Sequence, residues 1–389
     1  MGKERDFSHL NQFPGETGNL FDRVLHRLES LQRIRWPIFA LILLCIAALA
    51  SWFSVVTGSI LWGFFLLDWF LLSMLAKAGI SFGPAKPPVL ILAVLRTLFV
   101  ILPFYVFLPL EVFGTILVIY AFWIEPRRLT VTYQKLNSDK FRSNRPLRLL
   151  HLGDLHIERI TARENRLTAL IQDLKPDIIL FSGDILNLSY LHDAKAWGAA
   201  RTIISHWQAP LGTYLVTGSP AVDLPEIMPE LVQDLDIHWL RNSKVTLEFE
   251  GGSFDLAGLT CSHRPSIDGP LLENLLTEKP DRFTIFLYHS PDLAPIAARL
   301  GVDLQLSGHT HGGQVRLPWI GALFTGSLYG KEFEIGRMKL NDMTLYITRG
   351  IGLEGAAAPR LRLFCPPEII LWEISASPTN GENSLKERS

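Results

Sequence analysis

Apolar residues crowd the first third of the chain, and polar residues interrupt them regularly afterwards. From Trp36 to Val56 the apolar run is long enough to cross a hydrocarbon layer of ~30 Å. Ser59 to Ala76 predicts a second span. Val89 to Phe107 and Leu110 to Ile124 predict a third and a fourth, with a break near Pro109-Leu110-Glu111. An all-helical transmembrane region of four helices would therefore fill residues 36–124, behind an N-terminal segment at 1–35. Within that segment Asn11 to Ser30 carries Leu20, Val24, Leu25 and Leu28 alongside Arg23 and Arg27, a pattern for an amphipathic helix on a membrane surface. The first apolar run starts late and no small-residue cleavage site follows it, which argues against a cleaved signal peptide.

After residue 125 the periodicities shorten. Residues 125–145 read as a linker. Leu147 to Leu152 and Asp177 to Phe181 are short buried strands flanking a helical pattern at Glu164 to Leu174. Helix is predicted again at Ala194 to Trp207 and Leu224 to Leu235, and strand at Gly212 to Val216. Val245 to Phe249 and Phe254 to Leu259 flank Gly251-Gly252 as a hairpin. Phe283 to Tyr288, Pro291 to Leu300 and Val302 to Leu306 repeat strand, helix, strand. The last strands fall at Phe333 to Leu340, Thr344 to Thr348 and Glu368 to Ile374. Alternating elements followed by extra strands imply an α/β domain over 146–375, with packed sheets and flanking helices. The opening residues and the tail 376–389, rich in Ser, Asn, Glu and Lys, read as disordered.

Charge orients the membrane part. Arg23, Arg27, Arg33 and Arg35 precede the first span, Lys77 and Lys86 flank the second connection, and Arg127 and Arg128 follow the fourth span. The other two connections lack basic residues. This alternation places the N-terminus and the large domain in the cytoplasm. Asp68 and Arg96 fall inside apolar runs at similar expected depth, which leaves two readings: a pair between the second and third spans, or Arg96 snorkelling to the cytoplasmic surface with Asp68 at a helix interface. A net charge of −1 excludes a general nucleic-acid binder. Cys45, Cys261 and Cys365 suggest neither a disulfide framework nor a cysteine zinc site.

The candidate chemistry lies at strand ends, where α/β sheets open their ligand crevices. Asp154, Asp184, Gly218, His289 and His309 each follow a predicted strand. His156 stands two residues after Asp154, and His311 two after His309. Carboxylates and imidazoles in this number suit a pair of divalent cations.

These motifs resemble the calcineurin-like metallophosphoesterase family. They are Asp154-Leu155-His156, Gly183-Asp184-Ile185-Leu186-Asn187, His289 in Tyr288-His289-Ser290-Pro291-Asp292, and Gly308-His309-Thr310-His311. Arg349-Gly350 and Cys365-Pro366-Pro367-Glu368 are similar to its membrane-associated bacterial branch. The resemblance implies an α/β/β/α sandwich and two divalent metal ions (manganese, iron or zinc). It further implies that Asp154, His156 and His311 hold one metal, that His289 and His309 hold the other, and that Asp184 bridges both.

One motif departs from the family. Where Gly-Asn-His and an acid are expected, the chain reads Thr217-Gly218-Ser219-Pro220-Ala221. In the family the asparagine ligates the second metal and the histidine assists the phosphoryl oxygens or leaving group. Three outcomes stay open: a weak second site, a substitute among Asp223, His192 and His263, or binding without turnover. The resemblance implies a membrane-anchored phosphoesterase of the bacterial inner membrane, acting on a phosphodiester, phosphomonoester or pyrophosphate that is phosphorylated and small or lipid-linked. The alternative is a catalytically impaired metal- or phosphate-binding sensor or scaffold. Gly350 to Gly355 fits a dinucleotide-binding spacing, but Pro359 denies it the following helix. Trp319, Phe324 and Tyr329 are candidates for an apolar lip, with core packing as the alternative.

Overall fold

A computed structural model describes residues 4–16, 18–277 and 280–377. The tail expected to be disordered lies almost wholly outside the described residues, whereas the opening residues, also expected to be disordered, pack on the α/β domain, with Arg5 paired to Glu332 and Phe7 edge-on to Tyr329. A short amphipathic helix, α1 (Leu20–Glu29), precedes the apolar region and leaves Leu20 and Val24 exposed. Four helices follow: α2 (Trp36–Ala50), α3 (Val55–Met74), α4 (Lys86–Thr97) and α5 (Phe104–Ile119). They bury Phe39, Leu43, Leu61, Phe65 and Val89 against one another and turn Trp36, Leu41, Leu49 and Phe70 outward.

Two helices among the described residues are long and apolar enough to cross a membrane, Val55–Met74 and the continuous stretch Phe104–Arg127. The helices at the other two expected spans are shorter, with 15 residues in α2 and 12 in α4. The break expected near Pro109 falls instead between Thr97 and Phe104. Pro103 stands immediately before α5 and presets its entry, whereas Pro109 lies inside the helix, where its missing amide leaves the Tyr105 carbonyl without its helical partner.

The predicted charge pair is present and has a third member. Arg96 places Nε 2.7 Å and Nη2 2.8 Å from the two Asp68 oxygens, and Nη1 2.7 Å from Glu111 Oε2. Glu111, expected in a connecting link, is a buried residue of α5. At the other end of the bundle Lys86 donates to the carbonyls of Gln32 and Ile34. The chain before α2 and the loop between α3 and α4 thus share one end.

The remaining strands are β1 (Thr130–Ser138), β2 (Leu147–Leu152), β3 (Ile178–Phe181), β4 (Thr213–Leu215), β5 (His238–Trp239), β6 (Ser243–Phe249), β7 (Gly252–Gly258), β8 (Thr284–Leu287), β9 (Leu304–Ser307), β10 (Arg316–Leu317), β11 (Gly321–Ala322), β12 (Gly336–Leu340), β13 (Met343–Ile347) and β14 (Glu368–Ala376). One six-stranded sheet runs β1-β14-β2-β3-β4-β5, the other β12-β13-β9-β8-β7-β6. Leu147 and Leu149 face the space between the sheets with Phe254, Leu256, Ile285 and Leu304. Leu150 and Leu152, one residue out of phase, face outward under α6 (Ala162–Leu174) and α7 (Ala194–Ile204). The second sheet buries Ala257, Phe286 and Leu345 beneath α9 (Pro265–Leu275) and α10 (Ala294–Arg299), the helices that follow the short α8 (Met228–Val232). The result is an α/β/β/α sandwich.

Two boundaries differ from expectation. Residues 130–138 are a sheet strand rather than linker, paired in parallel with β14 along their whole length. The helix expected from Leu224 to Leu235 shrinks to the five residues of α8. Pro225 and Pro229 confine it, and Asp234 turns to positive φ. The sandwich grips the membrane end in two places. Phe82 of the α3–α4 loop donates its amide to Glu158, which pairs with Arg360. Glu125, at the end of the α5 stretch, accepts the amides of Phe364 and Cys365.

Candidate metal centre

The C-terminal ends of β2, β3, β4, β8 and β9 meet at one edge of the sandwich. Each chain turns sharply as it leaves its strand. Asp154, His156, Asp184, His309 and His311 all adopt positive φ, between 40° and 70°. That region is disfavoured for residues with a Cβ, and such strain concentrates where a site must aim its side chains. His289 follows β8 in a relaxed backbone and donates Nδ1–H to the Ser182 carbonyl at 2.8 Å, which fixes the ring and aims Nε2 at the site.

The six predicted residues converge. His156 and His311 bring their Nε2 atoms to 3.0 Å, and His311 Nε2 lies 3.8 Å from Asp154. Asp184 Oδ2 stands 3.5 Å from His156 and 3.3 Å from His289. Three groups have ligand atoms that all lie within 4.8 Å of one another: Asp154, His156 and His311; Asp154, Asp184 and His289; and His263, His289 and His309. Asp154 Oδ2 is buried with no hydrogen-bond partner among the described residues. An orphaned carboxylate oxygen beside converging imidazole nitrogens fits a cation far better than it fits a closed polar core.

Residues 147–313 match the model of the calcineurin-like phosphoesterase family. The chain carries a metallophosphoesterase domain. It is 28% identical over 267 residues to the uncharacterized metallophosphoesterase YkuE of Bacillus subtilis, covering 66% of this chain and 90% of that one. It is 27% identical over 271 residues to phosphodiesterase YaeI of Escherichia coli, covering 65% and 88%. Over 327 residues it is 24% identical to UDP-2,3-diacylglucosamine pyrophosphatase LpxG of Chlamydia trachomatis, covering 67% and 93%. Members of the family are hydrolases, and divalent metals are its usual cofactors.

In this metallophosphoesterase domain the altered third motif keeps its frame. Asp223 accepts the amides of Asp184 and Gly218 on one oxygen, at 2.8 and 2.7 Å, and that of Ile185 on the other, at 2.9 Å. It clamps the loops after β3 and β4 together, so its carboxylate is spent on backbone rather than on a ligand position. Ser219 donates its amide to Asp184 Oδ1 at 2.6 Å, and its hydroxyl lies 3.1 Å from His289 Nε2. His192 is exposed on the outer loop. His263 alone among the three candidate substitutes enters the site, where its Nε2 lies 3.1 Å from the Ser219 hydroxyl.

Burial and neighbouring charge divide the titrating groups. Burial raises Asp154 to about 6. Burial also opposes ionisation of Asp184, but the charge and hydrogen bond of His289, with His156 and the Ser219 amide, hold it well below the usual carboxylate range. His289 is correspondingly raised to about 9, because Asp184 outweighs desolvation. Burial takes His309 down to about 3, with His289 adding to the effect. His311 and His263 also lie well below the ordinary histidine range, chiefly through burial. Those three imidazoles are neutral at pH 7 and can offer lone pairs.

Two features were missed in the sequence. First, the N-terminal segment lies across the site. Phe13 is buried, the Gly15 carbonyl accepts from the Ala221 amide at 3.1 Å, and Glu16 pairs with Arg264. Gly15, at φ 79°, approaches so closely that a Cβ would strike His263. Second, a cavity of about 620 Å³ opens from the ligand cluster. Asp184, Ser219 and His311 lie at its floor, and Phe13, Val222, Phe324 and Leu361 form apolar walls. The hairpin of β10 and β11 stands at its rim with Trp319 fully exposed and Phe324 56% exposed, while Tyr329 is in the core.

Proposed function

We propose that this protein is a membrane-anchored, divalent-metal-dependent hydrolase of a phosphoester or pyrophosphate bond in a lipid-linked substrate. The observation that carries the reading is the cavity, with its polar floor of ligand residues and its apolar walls. A water-soluble phosphoester has no use for such walls, whereas an acyl chain gains ~25 cal/mol per Å² of apolar surface buried there. The exposed rim at Trp319 and Phe324 extends the apolar surface outward. Phe364, beside it in the chain's return to the sheet, lies with its ring tilted against Tyr120 at the end of the membrane helix.

Asp154, His156 and His311 would hold one cation and His289 and His309 the other, with Asp184 between them. Bound cations of this kind supply Lewis acidity toward a phosphoryl oxygen and toward water. The chain's own contribution is to orient and exclude. The Ser219 amide fixes the Asp184 carboxylate, Ser182 fixes the His289 tautomer, and Gly326 accepts from His309 Nε2 at 3.1 Å, which leaves its Nδ1 for ligation. The apolar walls and the N-terminal strap shield the floor from bulk water. Basic residues bracketing the membrane segment support a cytoplasmic location for the domain, at the inner membrane of a bacterium.

A second reading, phosphate binding without turnover, draws on one observation. Pro220 stands where the family places a histidine, and it offers neither donor nor proton. The two are separated with full-length protein in lipid nanodiscs, loaded with manganese. The assay compares a nucleoside-diphospho-sugar bearing acyl chains, the same head group without chains, and a soluble aryl phosphodiester. Hydrolysis of the acylated compound at least tenfold faster than of the chain-free one, lost in Asp184→Ala, is expected. Equal rates with and without acyl chains would sink the lipid assignment. Bound manganese with no turnover of any of the three would favour the binder.

A further inference from the structure

We infer that His263 is a ligand of the second metal and replaces the asparagine that Ser219 has displaced. The inference rests on the reading that the site holds two cations. Its ground is geometric. His263 follows β7, on a loop the family motifs do not include, and its side chain is buried in the site. Its ligand nitrogen joins those of His289 and His309 in one group within 4.8 Å. The ring centroids lie 4.2 Å from His309 and 5.6 Å from His289.

A structural histidine in a core is normally satisfied by a backbone carbonyl or a carboxylate. The Nε2 of His263 faces the Ser219 hydroxyl instead, and that hydroxyl is equally close, 3.1 Å, to His289. The serine is too short and too weak a donor to replace an amide oxygen as a ligand. An imidazole is a stronger ligand for manganese, iron or zinc than either. The backbone at His263 shares the positive φ of the neighbouring ligand residues, at 62°. The strap explains how the ring is held. Gly15 closes against it without a side chain, and the pair between Glu16 and Arg264 anchors the strap one residue further along. The second cation would then be held by three imidazoles and Asp184.

The test counts metal. Full-length protein in detergent is stripped with chelator, reloaded with cobalt(II), passed through a desalting column and measured by inductively coupled plasma mass spectrometry. The visible absorption of the bound cobalt is recorded in parallel. Two equivalents are expected in the wild type. His263→Ala should retain one, or bind the second at least tenfold more weakly with an altered spectrum. Adding Ser219→Asn to that variant should restore the second equivalent, which mere damage to folding would not allow. If His263→Ala is not recovered folded, His263→Gln, which keeps volume with a poorer ligand, carries the same comparison. Two equivalents bound by the alanine or glutamine variant with unchanged affinity and spectrum would overturn the assignment alone. Fewer than two in the wild type would overturn the dinuclear reading and this inference with it.

Discussion

Replacing Asp223 removes the clamp between the loops after β3 and β4, and the structure sets the size of the effect. Its carboxylate is buried and accepts three backbone amides, those of Asp184, Ile185 and Gly218. In Asp223→Ala all three donors lose their partner. Each orphaned buried donor costs about 1–3 kcal/mol, although water entering the space left behind recovers part of that. A net loss of at least about 3 kcal/mol is expected. For a domain of this size each kcal/mol moves the melting temperature by roughly 2–4 °C, so the alanine variant should melt about 6–12 °C lower. Asp223→Asn separates charge from geometry. Its carbonyl can keep the amides of Asp184 and Gly218, but its own NH₂ then faces the Ile185 amide, and one hydrogen bond is lost. Against that loss stands a gain: burial, with the charge of Asp184, pushes Asp223 up to about 6, and a neutral side chain removes that conflict. The asparagine variant should therefore sit close to the wild type and well above alanine. Tryptophan fluorescence melts of the detergent-solubilised protein, with manganese affinity by calorimetry, check the order. An alanine variant that melts within about 2 °C of the wild type and binds manganese equally well would refute the clamp.

Three further outcomes follow from other parts of the molecule. Arg96→Leu leaves Asp68 and Glu111 buried without their cation, a loss of about 3–5 kcal/mol; the yield of folded protein should collapse and return when Asp68→Asn and Glu111→Gln are added, and failure to return would show that the triad is not the cause. Asp292 is raised from an ordinary 3.8 to about 6, chiefly by burial; the folded state favours its protonated form, so this stabilisation is complete below pH 3.8, is lost as pH rises through 6, and amounts to roughly 3 kcal/mol. The melting temperature of Asp292→Asn should accordingly gain on the wild type between pH 4 and 7, and a constant difference across that range would contradict the assignment. Chelation should lower the wild-type melting temperature by several degrees, because metal at a hundredfold excess over its dissociation constant stabilises by about 2.7 kcal/mol; Asp184→Ala should respond far less, and an equal response would place the stabilising metal elsewhere.

What could be read from the sequence was whatever depends on local pattern. The apolar run Leu147 to Leu152 could be read as a buried strand, though not which of its side chains face the inner space, and the polar residues after each strand could be assigned to the crevice edge. Asp68 and Arg96 could be paired because an apolar span makes a lone charge costly. Glu111 escaped because Pro109, two residues before it, read as a break, while in the fold α5 runs through that proline at the cost of one backbone hydrogen bond to Tyr105. The strand at Thr130–Ser138 escaped because its pairing partner lies more than two hundred residues away in β14. The N-terminal strap lies inside the stretch Asn11 to Ser30 expected to form an amphipathic helix, but the helix begins only at Leu20, where the leucine spacing starts; Phe13-Pro14-Gly15 is legible as a strap only after the site it covers is known. His263 stood among three candidates, and only the three-dimensional path of the loop after β7 separates it from Asp223 and His192.

The altered third motif retains more than it has lost. Gly183, at φ 102°, presses against the backbone of Gly218, and a Cβ on Gly218 would strike the Asp184 carboxylate. These contacts need glycine at both positions, and both glycines are present. The amide of residue 219 reaches Asp184 whatever side chain it bears. Only two chemical functions therefore depended on the residues replaced: a ligand and a proton donor. With the frame kept and an imidazole delivered from another loop, the ligand function has a local successor. The proton-donor function has no comparable successor in the same loop, since Pro220 cannot supply it, the Ser219 hydroxyl is turned to Asp184 and His289, and the Ala221 amide is committed to Gly15. Ser219→Asn in the presence of His263 should then gain little metal affinity, because the two side chains would compete for one position. The same change without His263 should gain much, and a coupling between the two substitutions smaller than about 0.5 kcal/mol, the scatter of independent sites, would mean that they serve different positions.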